Sequence, residues 1–150
     1  MIRAATKEDI AAIMPLAHDF HTSVGSGHGA WRPDKAQEFV EWAAINDKGL
    51  CLVHCDDDGK IDGYLTAIVG PMLWDPDYIV CVETTMWVAE DSRGKGAASG
   101  LIAAMVDHAR ESKCKAVTLC ATNRNSPDVA AAIYKKRGFE LLESQYSMEF

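Results

Sequence analysis

Three groups of residues in this chain have types and spacings that could do chemistry. The stretch Ser92-Arg93-Gly94-Lys95-Gly96-Ala97-Ala98-Ser99-Gly100 follows an apolar, strand-like run and opens an amphipathic, helix-like one. A turn this small and glycine-rich brings backbone N–H groups to the start of a helix, where the helix dipole favours phosphate oxygens such as those of a pyrophosphate. Gly94 and Gly96 suit that use, because a Cβ would block the approach of backbone to phosphate. Glu83 is the sole carboxylate in the run Tyr78 to Val88 that leads into the turn. Near the C-terminus, Ala130-x-x-x-Tyr134-x-x-x-Gly138-Phe139 puts a phenol on a helix that closes on glycine. A carboxylate and a phenol are both groups that can move a proton at a reacting centre.

Each piece also has a plain structural reading. Short glycine turns join strands to helices without any ligand, and Arg93 and Lys95 read equally as surface charge. Glu83 reads as an outward-facing strand residue, Tyr134 as part of a helix's apolar face, and Glu90 and Asp91 as solvated loop charges. Two other phosphate motifs are excluded. Gly94-Lys95 lacks the upstream glycine and downstream Ser/Thr of a Walker loop, and no Rossmann βαβ pattern surrounds Gly96. Cys51, His54 and Cys55 match no common zinc spacing, so no metal site is expected. Asp56, Asp58 and Asp62 alternate near Gly59 like a calcium loop, but the position for a bidentate Glu is apolar, which leaves a solvated hairpin turn.

The elements that must position these groups can be read from periodicity and punctuation. Ile2 to Ala5 reads as a strand, and Thr6 as the cap of a helix with Ile10, Ile13, Met14 and Ala17 on one face, reaching about residues 18–21. Residues 22–30 hold three glycines and two serines and read as a loop. Pro33 opens a second helix that ends before Gly49. Strands are expected at Leu50 to Cys55 and Ile61 to Val69, joined by the turn Asp56 to Lys60, and then at Tyr78 to Val88. A helix from Gly96 to about Glu111 carries an apolar stripe of Ala98, Leu101, Ile102, Met105 and Ala109. Next come a strand at Ala116 to Cys120, a loop, and a helix near Asp128 to Lys136 capped by Gly138, with a last strand or strand pair from Phe139. Strands broken by helices in this way make an α/β domain with a mixed sheet.

Length and composition agree. At 150 residues, with no internal repeat or linker-like tract, residues 1–150 read as a single domain able to fold alone. The net charge of −7 disfavours a nucleic-acid partner, since phosphate neutralisation needs clustered Lys and Arg, and mildly favours a cationic substrate. No run of about 18 apolar residues exists and the first residues have no signal-peptide core, so no membrane is expected and the cytoplasm is the expected location. The five cysteines, Cys51, Cys55, Cys81, Cys114 and Cys120, read mainly as reduced, buried thiols. Nothing in the pattern decides the oligomeric state, a homodimer included.

The order strand, Arg93-x-x-Gly96-x-Ala98 turn, helix, then Tyr134-x-x-x-Gly138-Phe139 resembles the GNAT superfamily of acyl-CoA-dependent N-acetyltransferases, and so does the opening Ile2-Arg3-x-Ala5-Thr6-x-Glu8-Asp9. The resemblance covers nearly the whole chain. It implies a mixed, mostly antiparallel sheet flanked by helices, with a strand pair splayed at the cofactor. It also implies that acetyl-CoA is the co-substrate, with its pyrophosphate on the amides of Arg93, Gly94, Lys95, Gly96, Ala97, Ala98 and Ser99 and its pantetheine along Met86 to Val88. Glu83 would be the general base for a primary amine, and Tyr134 the acid that protonates the departing thiolate. The family often has Asn seven positions before that tyrosine; here Pro127 stands there, leaving Asn125, with Asn123 further upstream, as the candidate contact. His18, His21 and His28 fall where this fold shapes its acceptor pocket, or are ordinary helix-end histidines. The acceptor would be a small-molecule or peptide amine. A non-catalytic acyl-CoA-binding or regulatory module, or an enzyme acting on a partner protein's lysine or N-terminus, would share the same motifs.

Overall fold

In the computed structural model, which describes residues 1–25, 29–122, 127–146 and 148, five strands form one sheet in the order β1-β2-β3-β4-β5. The strands are β1 (Ile2–Ala4), β2 (Gly49–Cys55), β3 (Ile61–Met72), β4 (Asp75–Val88) and β5 (Ala116–Thr118), and the helices are α1 (Ile10–Val24), α2 (Pro33–Ile45), α3 (Ala97–Glu111) and α4 (Pro127–Lys136). The first four strands pair antiparallel and β5 runs parallel to β4, as expected of a mixed, mostly antiparallel sheet.

Both faces of the sheet are covered. Cys51, Val53, Cys55, Tyr64 and Trp87 pack beneath α1 and α2 with Ile10, Ile13, Leu16 and Val40. The alternate residues Leu50, Leu52, Leu65, Ala67 and Cys81 pack against Leu101, Met105 and Ala109 of α3. Burial on both sides is why β2 reads as a nearly unbroken apolar run. Close backbone approach at Gly49 seats α2 on the sheet, since a Cβ there would lie 2.7 Å from the Ala43 Cα.

Thr6 and Asp9 explain the start of α1. The Asp9 carboxylate accepts the Thr6 N–H at 2.8 Å and pairs bidentately with Arg3, at 2.6 and 2.8 Å, which ties β1 to the helix entrance. Hydrogen bonding from Arg3 outweighs burial and holds the Asp9 carboxyl well below the usual carboxylate range.

Two expectations need correction. The strand at Ala116 stops at Thr118 rather than Cys120, because its pairing with β4 ends at Val82–Thr118 and the two chains then part. Residues 139–146 and 148 form no strand, and Leu141, Leu142, Tyr146 and Met148 are exposed. Their pattern is strand-like, but pattern alone does not make a strand, and these residues pair with none of the five strands. Several boundaries also shift outward. β3 and β4 extend to Met72 and from Asp75, lengthening their hairpin, and α1 reaches Val24.

Gly49→Ala should lower stability by roughly 1–3 kcal/mol through overpacking against α2. Urea denaturation would read this as a shifted midpoint with an unchanged slope.

Candidate active site

The site begins where β4 and β5 diverge. Across β3, Thr66 pairs with Thr85 but Ala67 pairs with Glu83, so Thr84 is an extra residue, a bulge, in β4. A bulge bends its strand and sharpens the twist. The buried Thr66 hydroxyl holds it, at 2.7 Å from the Thr84 hydroxyl and 2.6 Å from that of Thr85. Among the described residues, β4 from Glu83 to Val88 has no strand on its β5 side. Met86 and Val88 therefore lie on a strand whose outer edge is open, while they pair with Leu65 and Gly63 on the inner edge.

Glu83 and Tyr134 meet at the mouth of this gap, each bonded to the backbone of the same residue, Cys120. The Cys120 N–H donates to Glu83 Oε2 at 2.9 Å, and the Tyr134 hydroxyl donates to the Cys120 carbonyl at 2.8 Å. Glu83 is 5% exposed, and burial pushes its carboxyl up to about 7 against the opposing hydrogen bond from Cys120. Burial, with Glu83 and Cys120 nearby, raises the Tyr134 phenol above its usual range, so it stays protonated at neutral pH. One group can therefore take a proton near pH 7 and the other can give one. The readings of Glu83 as outward-facing and of Tyr134 as plain core do not describe these placements.

At the end of β4 the glycine turn leads into α3. Gly94 and Gly96 have φ of +77° and +92°, a region that L side chains rarely adopt. No atom lies within 4 Å of where a Cβ would project from either, so it is the backbone conformation that calls for glycine, and the space before the turn is open. Gly96 caps α3 without any side-chain bond, and the first helical bond runs from the Gly100 N–H to the Gly96 carbonyl at 2.9 Å. The amides of Ala97, Ala98 and Ser99 precede it, so the helix supplies no carbonyl for them. That arrangement fits phosphate oxygens.

Arg93 turns away from this space. Its Nε donates to the Val88 carbonyl at 3.1 Å and its guanidinium lies 4.4 Å from the centre of the Trp87 ring, which braces the turn on the end of β4. Lys95 is exposed on the turn. Asp62 supports the same junction, although its sequence context pointed only to a hairpin. Its carbonyl accepts the Ala89 N–H at 2.8 Å, and its buried carboxylate lies 2.5 Å from His54 Nδ1. Burial alone would raise the Asp62 carboxyl, but hydrogen bonds from His54 and Ser92 lower it. No local signal marks that role, because His54, Asp62 and Ser92 come together only through strand register.

His18 and His21 flank Trp31, with ring centres 5.1 and 5.4 Å away, and His21 Nε2 is 2.8 Å from the Gly29 carbonyl. Asn123, Asn125 and His28 lie outside the described residues. Among the described residues no three His, Cys, Asp or Glu are grouped to hold a metal ion, and no helix is long and apolar enough to cross a membrane. All five cysteines are free; Cys51, Cys55 and Cys81 are buried, but Cys120 is exposed at the gap.

The sequence profile of the acetyltransferase (GNAT) family matches residues 10–139. The chain belongs to the GNAT acetyltransferase family. No curated protein matches it in sequence. Among solved structures, the tetramutant of a Bacillus halodurans protein is similar with a TM-score of 0.80 at 19% identity, over 100% of this chain and 99% of that one. The ribosomal-protein-alanine N-acetyltransferase of Brucella melitensis biovar Abortus 2308 matches with a TM-score of 0.75 at 20% identity, over 100% and 98%. An aminoglycoside antibiotic 6′-N-acetyltransferase of Acinetobacter haemolyticus gives 0.76 at 15% identity, over 100% and 97%. At these identities the likeness to this GNAT protein is one of fold.

Glu83 holds its proton to a higher pH in the folded GNAT domain, near 7, than at its ordinary value of 4.5, so the native state binds the extra proton between them. Wild-type stability then falls as pH rises through that window. Glu83→Gln, which cannot ionise, should gain on wild type by roughly 2–3 kcal/mol between pH 5 and pH 8. Urea midpoints at the two pH values measure the difference, and parallel profiles would refute it.

Proposed function

We propose that this protein transfers an acetyl group from acetyl-CoA to a primary amine, by direct attack within a ternary complex. The observation that carries this reading is the backbone of Cys120, which holds Glu83 on its N–H and Tyr134 on its carbonyl at the mouth of the β4–β5 gap. Acetyl-CoA supplies a thioester carbonyl that a neutral amine can attack.

A lysine-like amine has a pKa of about 10.4 and arrives mostly protonated, so a base must free its lone pair. Glu83, with its carboxyl near 7, is ionised often enough at neutral pH to accept that proton, directly or through a water. Backbone N–H groups on the open edge of β4, from Met86 to Val88, would bind the pantetheine amides as an added strand would and steady the developing oxyanion. The amides of Gly94 to Ser99 would hold the pyrophosphate, with Lys95 adding charge; the expected Arg93 amide is instead bonded to the Glu90 carbonyl at 3.1 Å, and the Arg93 side chain braces the turn. Tyr134, kept protonated, would swing its hydrogen from the Cys120 carbonyl to the departing sulfur. The nitrogen loses two protons in all: Glu83 passes the first to solvent before attack, and the second, lost as the amide forms, balances the one that Tyr134 gives to the thiolate.

We place the acceptor among small-molecule or peptide amines, with neither nucleic acid nor membrane as partner. The net charge of −7 suits a cationic acceptor, and the free cysteines suit the reducing cytoplasm.

The test is release of free thiol from acetyl-CoA with polyamines, aminoglycosides, amino acids and peptide N-termini. Tyr134→Phe should lower kcat at least tenfold while leaving CoA affinity within about twofold. Glu83→Gln should abolish the rise of kcat/KM through about pH 7. CoA binding without turnover on any amine, small or protein-borne, would favour a non-catalytic module, and failure to bind CoA would refute the proposal.

A further inference from the structure

Arg137 lies between Tyr134 and Gly138, in the turn that directly follows α4, and the motif gives it no role. Its Nε and Nη2 donate to the Ser99 hydroxyl at 3.0 and 2.7 Å. Ser99 is the third residue of α3, so this bond carries a guanidinium from the turn after α4 onto the first turn of α3, which also holds Ala97 and Ala98. A cation at a helix N-terminus works against the helix dipole, which favours negative charge there. The placement is unfavourable in isolation, and an anion bound between the amides and the guanidinium reverses its sign. No carboxylate within ion-pair distance of Arg137 is found among the described residues, although the chain carries a net charge of −7. Arg93, the arginine within the turn, has its Nε on the Val88 carbonyl and its face on Trp87.

We propose that Arg137 is a phosphate-binding residue of the CoA site. Ser99 orients its guanidinium, and the Nη1 hydrogens, with the second on Nη2, remain to bond phosphate oxygens in the planar geometry that arginine offers. The inference rests on the acetyl-CoA reading above and adds to it a contact from the turn after α4. Because α4 carries Tyr134, phosphate binding would fasten to α3 the helix that bears the proposed acid. α4 has no buried residue, so such a fastening would matter to its position.

Calorimetric titration of CoA into wild type, Arg137→Ala, Arg137→Gln and Arg137→Lys, at low and high salt, tests this. Arg137→Ala and Arg137→Gln should each weaken CoA binding about tenfold and flatten its salt dependence, while Arg137→Lys should retain most of the affinity. Glutamine can still donate to Ser99, so wild-type CoA affinity in Arg137→Gln would mean that Arg137 merely docks α4, and would overturn the proposal. Dephospho-CoA locates the contact. If the variants bind it as wild type does, Arg137 binds the 3′-phosphate; if they bind it more weakly, Arg137 binds the pyrophosphate, and either result supports the assignment. Unchanged CoA binding in all variants would overturn the role of Arg137 and leave the acetyl-CoA reading standing, whereas a wild type that binds no CoA would remove both.

Discussion

Where β4 and β5 part after Val82 and Thr118, the Cys120 amide is bonded to the Glu83 carboxylate rather than to β4 backbone. That substitution of side chain for backbone shapes the whole site. It satisfies a buried carboxylate with one neutral donor and no cation, so the charge stays costly and the carboxyl is pushed up to about 7. It also fixes the backbone at Cys120, whose own carbonyl, in the next peptide, receives Tyr134. The Thr84 bulge, pinned by Thr66, is the matching distortion on the other side of Glu83. One irregularity in a sheet thus yields an open edge, a carboxyl that titrates near neutrality and a seat for a phenol.

The two walls of the site are built differently. The phosphate turn is braced from several sides by Arg93 on Val88 and Trp87 and by Asp62 on Ala89, and it leads into a helix whose Leu101, Ile102 and Met105 are fully buried. α4 buries no residue, and the side-chain hydrogen bonds that tie it and the turn after it to the other described elements are Tyr134–Cys120 and Arg137–Ser99. Apolar burial is worth more than exposed polar contacts, so α3 and its turn form the fixed frame and α4 the element that local opening reaches first. The proposed acid therefore sits on the lightly held side.

Much of this architecture is legible in the chain alone. The stripe of Leu101, Ile102 and Met105 predicts α3, and the helix forms where the stripe lies. The turn Asp56 to Lys60 between two apolar runs predicts the β2–β3 hairpin, and the turn of Arg93 to Ser99 is a local conformation that its glycines announce. The end of the chain is not legible in this way, because residues after Phe139 alternate like a strand while pairing depends on an edge that lies elsewhere in the chain. Gly94 and Gly96 have a reason beside the expected approach of phosphate, since their positive φ by itself calls for glycine. Arg93 has the position of a phosphate ligand and the contacts of a brace.

By itself the sequence determined what depends on near neighbours: the four helices, the strands as far as β5, the glycine turn and membership in the GNAT family. Tertiary structure alone decided the properties that belong to pairs of distant residues. Glu83 and Cys120 lie 37 positions apart, Ser99 and Arg137 lie 38 apart, and no periodicity links either pair. A carboxyl's proton affinity depends on how deeply it is buried and on which dipoles face it, and an arginine's role depends on which helix end it reaches. Both are set by which distant segments the fold brings to the β4–β5 gap and to the start of α3, and neither is a property of the residues taken in order.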